Sequence, residues 1–372
     1  MRRSFSRPLG QKYKTREICV SSIVENSKST NKQKREVIVL KRYGHLYEKI
    51  TDIENLKTAH INARKGKTFY KEVKMVDKNP EYYAKEISNM LINKTYKVSD
   101  YEVFERIDKG KKRQISKLPY YPDRIVQWAI LQQINFIFEK SFIYDTYSSI
   151  PGRGMHFGLK RVKNAMKDKY NTKYCLKIDV KKYYPHIKHI ILKEKLRRKI
   201  KDPDLLWLLN VIIDSYSPGI PIGNYLSQYF ANYYLTFFDR YCKEHLKIKH
   251  YFRYMDDIVI LHKNKKYLHW LKKHFDWWLE KELELKIKSN WQVFPAHKRG
   301  IDFLGYRIFG DFILLRNSTK RRMVKKMKKI SKHNIVSNKD NSSIQSYKGW
   351  LKHCNAHNLY TKHIKPLEVK YA

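Results

Sequence analysis

Two adjacent carboxylates sit between two apolar runs in Phe252-Arg253-Tyr254-Met255-Asp256-Asp257-Ile258-Val259-Ile260-Leu261. An Asp pair beside buried strands is costly to hold unless a cation shares the site. The apolar flanks predict the two arms of a β-hairpin, with Met255, Asp256 and Asp257 at its tip. At such a tip, two consecutive side chains can both reach a metal. Taken alone, the pair is more readily a solvated turn, because Asp is common in turns. The rest of the chain decides between the two.

The 372 residues carry 79 Lys and Arg against 35 Asp and Glu, a formal net charge of +44. No globular fold requires that excess, and self-repulsion makes it a liability without a polyanionic partner. Hydrophobic residues at 42% and aromatics at 14% exclude a disordered chain. Nucleic acid is the leading partner and an anionic membrane surface the alternative. No apolar stretch approaches the roughly 20 residues needed to span a bilayer, and the basic N-terminus has no apolar run after it. Cys19, Cys175, Cys242 and Cys354 are scattered without a CxxC pair, as expected of reduced thiols in a cytoplasmic protein.

The first 45 residues read as a basic N-terminal extension, with 27–35 its most flexible part. Helices are expected over 46–63, 80–92, 123–143, 205–213, 224–241 and 269–285 from their apolar spacing. A hairpin is expected over 103–118, turning at Asp108-Lys109-Gly110-Lys111. Strands are expected at 174–179, 301–309 and 312–315, the last two joined at Gly310-Asp311. Without strict βαβ alternation, this order predicts an α+β fold with helices on one face of a sheet.

Asp179 closes the apolar strand at 174–179, 77 positions before Asp256. If the two segments are neighbouring strands, Asp179, Asp256 and Asp257 converge. Three carboxylates that close repel one another and raise their pKa values unless a divalent metal neutralises them. Mg²⁺ fits, because it binds one or two carboxylates and completes its octahedron with substrate phosphates. Two such ions about 3.5–4 Å apart would suit the in-line attack of a 3′-hydroxyl on a nucleotide.

These residues resemble those of bacterial and phage reverse transcriptases. Tyr254-Met255-Asp256-Asp257 is similar to the YxDD motif of that family, and Asp179 with Tyr184 resembles its first palm motif. Lys112-Arg113 through Leu118-Pro119 and Asp123-Arg124-Ile125-Val126-Gln127 resemble the fingers motifs. Tyr147-Ser148-Ser149-Ile150-Pro151-Gly152-Arg153-Gly154 takes the place of an SxGxRxG-like segment, and Gly300-Ile301-Asp302-Phe303-Leu304-Gly305-Tyr306 resembles the primer-grip hairpin. Most of the family carries Gln-Gly-x-x-x-Ser-Pro, but this chain has Ile222-Gly223-Asn224-Tyr225-Leu226-Ser227-Gln228. That IGxxxSQ form is similar to reverse transcriptases of diversity-generating retroelements, which copy a template-repeat RNA with errors at adenines. Ile222 replaces an amide that could hydrogen-bond the nucleotide, which is a route to weak discrimination.

The resemblance implies a right-hand polymerase with an antiparallel palm sheet and a helical thumb. Its divisions would be fingers at 46–173, palm at 174–315 with a nucleotide-binding segment at 219–230, and thumb at 316–372. It implies two Mg²⁺ ions, with Mn²⁺ as a substitute, on Asp179, Asp256 and Asp257 with the Val180 carbonyl. It further implies that Arg113 grips the triphosphate, Tyr184 is the steric gate, and Gly223 keeps the backbone close beside Ile222, Ser227 and Gln228. A lysine in Leu285-Lys286-Ile287-Lys288 would be the general acid, in a register that leaves Lys286 or Lys288. Partners implied are deoxynucleotides, template-repeat RNA, the cDNA or primer strand and a small, basic, ring-forming accessory protein, with no membrane.

Residues 320–330 place Met323, Met327 and Ile330 on one helical stripe after a Ser318 or Thr319 N-cap. Lys320, Arg321, Lys325 and Lys328 lie off that stripe and would track a template–primer backbone. His353 and His357 have i, i+4 spacing beside Cys354, but without a fourth ligand or a CxxC the pattern reads as structural or solvent-exposed rather than zinc-binding. Trp277, Trp278 and Trp350 read as packing residues. Two rivals stand beside this reading: a retron or group II intron enzyme, and a catalytically silent RNA-binding scaffold on the same fold.

Overall fold

In the computed structural model, residues 41–108 and 111–370 are described. The expected flexible stretch at 27–35, Cys19, almost all of the N-terminal extension and the Lys109-Gly110 centre of the expected turn lie outside them. Where one helix is expected over 46–63 there are two, α1 (Tyr47–Thr51) and α2 (Ile53–Ala63). Asp52 stands between them at ψ 134°, and its carboxylate accepts from Asn55 N at 2.9 Å. A cap thus interrupts a nearly continuous apolar pattern. α3 (Lys71–Lys78) was not foreseen, because only Val73 and Val76 are buried among its lysines. α4 (Pro80–Ile92) has the expected bounds, with Pro80 at the first helical position and the Asn79 side chain accepting from Tyr82 N.

β1 (Glu102–Asp108) and β2 (Lys111–Lys117) form the expected hairpin. A wide turn at Tyr120–Arg124 leads into α5 (Ile125–Ser141), which is shorter than the expected 123–143, and α6 (Met155–Ala165) follows. The central sheet is antiparallel and ordered β4-β5-β3-β6. Its strands are β3 (Tyr174–Asp179), β4 (His250–Tyr254), β5 (Asp257–His262) and β6 (Gln292–Pro295). Four helices punctuate it: α7 (His189–Arg197), α8 (Pro203–Asp214), α9 (Tyr225–Arg240) and α10 (Lys265–Leu283). The one-turn α11 (Ala296–Arg299) follows β6.

Strand alternation divides the side chains of this sheet between two cores. Leu176, Ile178, Tyr251, Ile258 and Ile260 pack with α5, α9 and α10. Cys175, Phe252, Val259 and Leu261 pack with α6 and the C-terminal elements. The α+β class is as expected, but both faces are covered rather than one. The covering on the second face includes a meander within the strands expected at 301–309 and 312–315: β7 (Ile301–Phe303), β8 (Tyr306–Ile308) and β9 (Ile313–Leu315). The single strand expected at 301–309 is split by Leu304 and Gly305, both left-handed at φ 54° and 84°. Trp350 fills the space a side chain at Gly305 would need, with a ring carbon 2.5 Å from an ideal Cβ.

The chain closes with α12 (Asn317–Ile330), α13 (Asn338–Leu351), α14 (His357–His363) and α15 (Lys365–Lys370). Met323, Met327 and Ile330 are buried as their spacing predicts. The N-cap is Arg316 rather than Ser318 or Thr319, because the helix starts earlier and buries Thr319 in its first turn. Trp350 packs against Tyr306, with ring centroids 5.3 Å apart. Trp278 packs as expected, stacking on Tyr241, but Trp277 is 53% exposed and departs from the expected packing role. His353 stacks on His156, with ring centroids 3.6 Å apart, and both His353 and His357 are exposed. Among the described residues, no helix is long and apolar enough to cross a membrane.

Candidate active site

Antiparallel register brings the three carboxylates together. Asp179, the last residue of β3, pairs with Asp257, the first of β5, and Val180 N donates to the Asp256 carbonyl at 3.2 Å. The tip of the hairpin is Met255 and Asp256 alone, since Asp257 already pairs with Tyr254 across the strands. Alternation along β3 puts Asp179 on the same face as Lys177. The Lys177 ammonium lies 3.5 Å from Asp257 Oδ2, and the Lys288 ammonium pairs with Asp179 Oδ1. Lys286 points elsewhere, 3.1 Å from Glu280, so Lys288 is the lysine at the carboxylates.

Burial and then repulsion from Asp179 push the Asp256 carboxyl up to about 6. Burial pushes Asp257 up to about 6 as well, against the opposing pull of Lys177. Asp257 Oδ1 is buried without a hydrogen-bond partner. An orphaned carboxylate oxygen among raised carboxyls is a site short of positive charge, and it fits a divalent cation. Among the described residues, no group of three or more His, Cys, Asp or Glu side chains is placed to hold a metal ion by itself, so a cation here would need water or phosphate ligands as well. The open edge suits Mg²⁺, which relies on few carboxylates and keeps waters and phosphates in its shell.

The hairpin that carries Asp256 is anchored from behind. Arg253 is fully buried, and its guanidinium meets Asp239 Oδ1 at 2.7 Å and Oδ2 at 2.6 Å. It also donates to Asn232 Oδ1 at 2.9 Å, Asn232 O at 3.2 Å and Met255 O at 3.0 Å. Asp239 and Asn232 both belong to α9, so one side chain ties that helix to the turn. Sequence reasoning missed this trio, because a charged residue inside an apolar strand reads as a solvent-facing position.

Of the other expected site residues, Tyr184 lies at this edge, with Arg113 beside it. Tyr184 follows β3 in a short helical turn, Tyr184–His186, and is near enough to both Asp256 and Arg113 to feel their charges. Burial, with Asp256 alongside, raises its phenol. Arg113 stands on β2 opposite Arg106. The same strand meets the IGxxxSQ segment where Ser116 N donates to Ile222 O at 2.8 Å. Gly223 has φ 138°, and an added Cβ would lie 2.4 Å from Ser116 O, so the close approach requires glycine. Gln127, the last residue of the second fingers motif, has a capping role that its motif did not indicate: its Oε1 accepts from Tyr225 N at 3.0 Å and Leu226 N at 3.2 Å, capping α9 from α5. Ser227 is buried in that first turn, while Gln228 is exposed and accepts from Ser149 Oγ at 2.9 Å. Lys320, Arg321, Lys325 and Lys328 are exposed on α12, away from its buried stripe.

Lys177 was also missed, although it stands two residues before Asp179 and therefore on the same face. It bonds to the carbonyl of Asp302, and the Asp302 side chain pairs with Arg316 at 2.5 Å.

Residues 94–308 match the reverse transcriptase (RNA-dependent DNA polymerase) family, and the chain belongs to it. Its described residues form an α+β architecture with an antiparallel central sheet. Protein YkfC of Escherichia coli (strain K12) is 26% identical over 227 residues, covering 58% of this chain and 53% of that protein. The chain thus spans about half the length of that relative. Among solved structures, telomerase from Candida albicans with a TWJ fragment of telomeric RNA shares 10% identity at a TM-score of 0.48, over 78% of this chain and 60% of that one. Apo telomerase from Candida tropicalis, truncated from its C-terminal domain, shares 12% identity at a TM-score of 0.44, over 59% of this chain and 55% of that one.

Proposed function

We propose that the chain copies RNA into DNA, and that it serves a diversity-generating retroelement. The observation that carries the first part is the convergence of Asp179, Asp256 and Asp257 in a member of this family. Two Mg²⁺ ions, replaceable by Mn²⁺, would be held by the three carboxylates with the Val180 carbonyl, water and substrate phosphates completing their shells. When bound, these ions supply charge to the attacking 3′-hydroxyl and the leaving pyrophosphate. Arg113 takes the triphosphate, where a guanidinium suits bidentate contact. Tyr184 lies under the sugar and leaves no room for a 2′-hydroxyl. Lys288 holds a proton for the departing pyrophosphate.

On this reading 46–173 are fingers, 174–315 palm with the nucleotide segment at 219–230, and 316–372 a thumb whose Lys320, Arg321, Lys325 and Lys328 follow the duplex. The retroelement assignment rests on Ile222, Ser227 and Gln228. The Ile222 side chain offers no hydrogen bond to the nucleotide, so a wrong pair loses less relative to the right one. Its partners would be a template-repeat RNA, the cDNA and a basic, ring-forming accessory protein.

The test is primer extension on mixed-sequence RNA with and without that accessory protein, followed by sequencing of the cDNA. Errors concentrated at template adenines, with no product from Asp256→Asn, Asp257→Asn, are expected. Faithful cDNA would return the chain to a retron or group II intron type, and no cDNA under any condition would leave only the scaffold reading.

A further inference from the structure

α10 carries a continuous line of aromatic rings on its outer side. Tyr267 stacks on Trp270 at 5.7 Å and 21°, and Trp270 on His274 at 5.1 Å and 7°. His274 lies 5.5 Å from Trp277, whose ring is capped by the Lys281 ammonium at 5.2 Å. Trp270 is 49% exposed and Trp277 53%, which is costly surface to leave in water. The inward side of the helix is Leu268, Leu271, Phe275, Leu279 and Leu283, all buried in the core opposite the carboxylate face. The ring line therefore stands on the far side of the sheet from Asp179 and Asp257.

We propose that this face of α10 binds single-stranded RNA outside the polymerase site. Two features select nucleic acid over protein. The exposed apolar surface is purely aromatic, since every leucine of the helix is turned inward, whereas a protein-docking helix presents aliphatic anchors as well. The charge is also one-sided. Lys266 and Lys273 flank the rings and are exposed, while nearby carboxylates are already paired, Asp276 with Lys272 at 2.5 Å and Glu280 with Lys286 at 3.1 Å. Lysines beside stacked rings give phosphates and bases a partner each.

The experiment measures binding of a labelled single-stranded RNA to the full chain while unlabelled primer–template hybrid saturates the polymerase site. Trp270→Ala, Trp277→Ala should weaken this binding by about tenfold or more, as loss of stacked bases does. Trp270→Phe, Trp277→Phe should retain most of it. Extension of a short primer, read in the same samples, should be unchanged, which separates failure here from failure of the polymerase assignment. Alanine variants that bind the strand as wild type does would overturn the proposal, and if they instead lose a captured protein the face is a protein surface. Should the alanine variant lose extension as well, Lys266→Glu, Lys273→Glu carries the test. It should flatten the salt dependence by about 1.4 log units per decade for two lost phosphate contacts, and an unchanged slope would overturn the proposal.

Discussion

The guanidinium of Arg253 donates to the carbonyl of Met255, two residues on, at 3.0 Å, and Met255 holds φ 53° in the left-handed region. A non-glycine residue rests there at a cost of about 1 kcal/mol unless its surroundings fix it. The fixing is done by a side chain whose other bonds all go to α9. The position of Asp256 is thus set from the helix whose first turn carries Ser227 and Gln228.

Breaking this anchor from one side leaves a buried charge alone. Arg253→Met should destabilise the protein by about 3–5 kcal/mol, because Asp239 stays buried and unpaired. Adding Asp239→Leu should recover part of that loss. Urea unfolding of the single and double variants checks both, and additive losses would refute the coupling.

Gly223→Ala places a methyl group against Ser116 O. The contact between β2 and the IGxxxSQ segment must then open, at a cost of about 1–3 kcal/mol for a residue forced into that backbone region. The KM for deoxynucleotide should rise about tenfold or more while RNA affinity holds. Steady-state extension at varied nucleotide concentration measures this.

The two lysines after α10 should behave differently. Lys288→Met removes the cation on Asp179 and should lower kcat about 10²–10⁴-fold if it delivers a proton. Lys286→Met removes only an exposed pair with Glu280, worth about 0–1 kcal/mol, and should leave kcat unchanged. Single-turnover extension of both variants separates the two positions.

Acid should stabilise the carboxylate edge and disable it. Asp256 and Asp257, raised to about 6, keep protons in the folded state that the unfolded chain releases near pH 4. The unfolded state therefore binds fewer protons across that window, so their contribution to stability falls as pH rises from about 4 to about 6. Divalent-cation affinity should rise over the same range, as the carboxylates must ionise to bind. Thermal melts with and without Mg²⁺ across that range should converge at the acid end, and the melt without Mg²⁺ should lose most of its slope in Asp256→Asn, Asp257→Asn.

Local signals made much of this legible. Asn79 and Pro80 fixed the start of α4, and the apolar run ending in Asp179 gave β3 both its ends. The meeting of Asp179 with Asp257 followed from treating two strand ends as neighbours. What escaped were effects with a distant cause. Leu304 turns left-handed beside Gly305, over which Trp350 packs from a later helix, and Arg253 is buried only because Asp239 waits on α9. α3 escaped because two valines among lysines make too narrow a stripe to register.

The lysine two residues before Asp179 touches more than a carboxylate. A cation arriving at Asp257 competes with the Lys177 ammonium for the same charge, yet Lys177 remains bonded to Asp302, whose side chain holds Arg316 at the head of α12. Charge at Asp257 is thus linked through two residues, Lys177 and Asp302, to the side chain that heads α12.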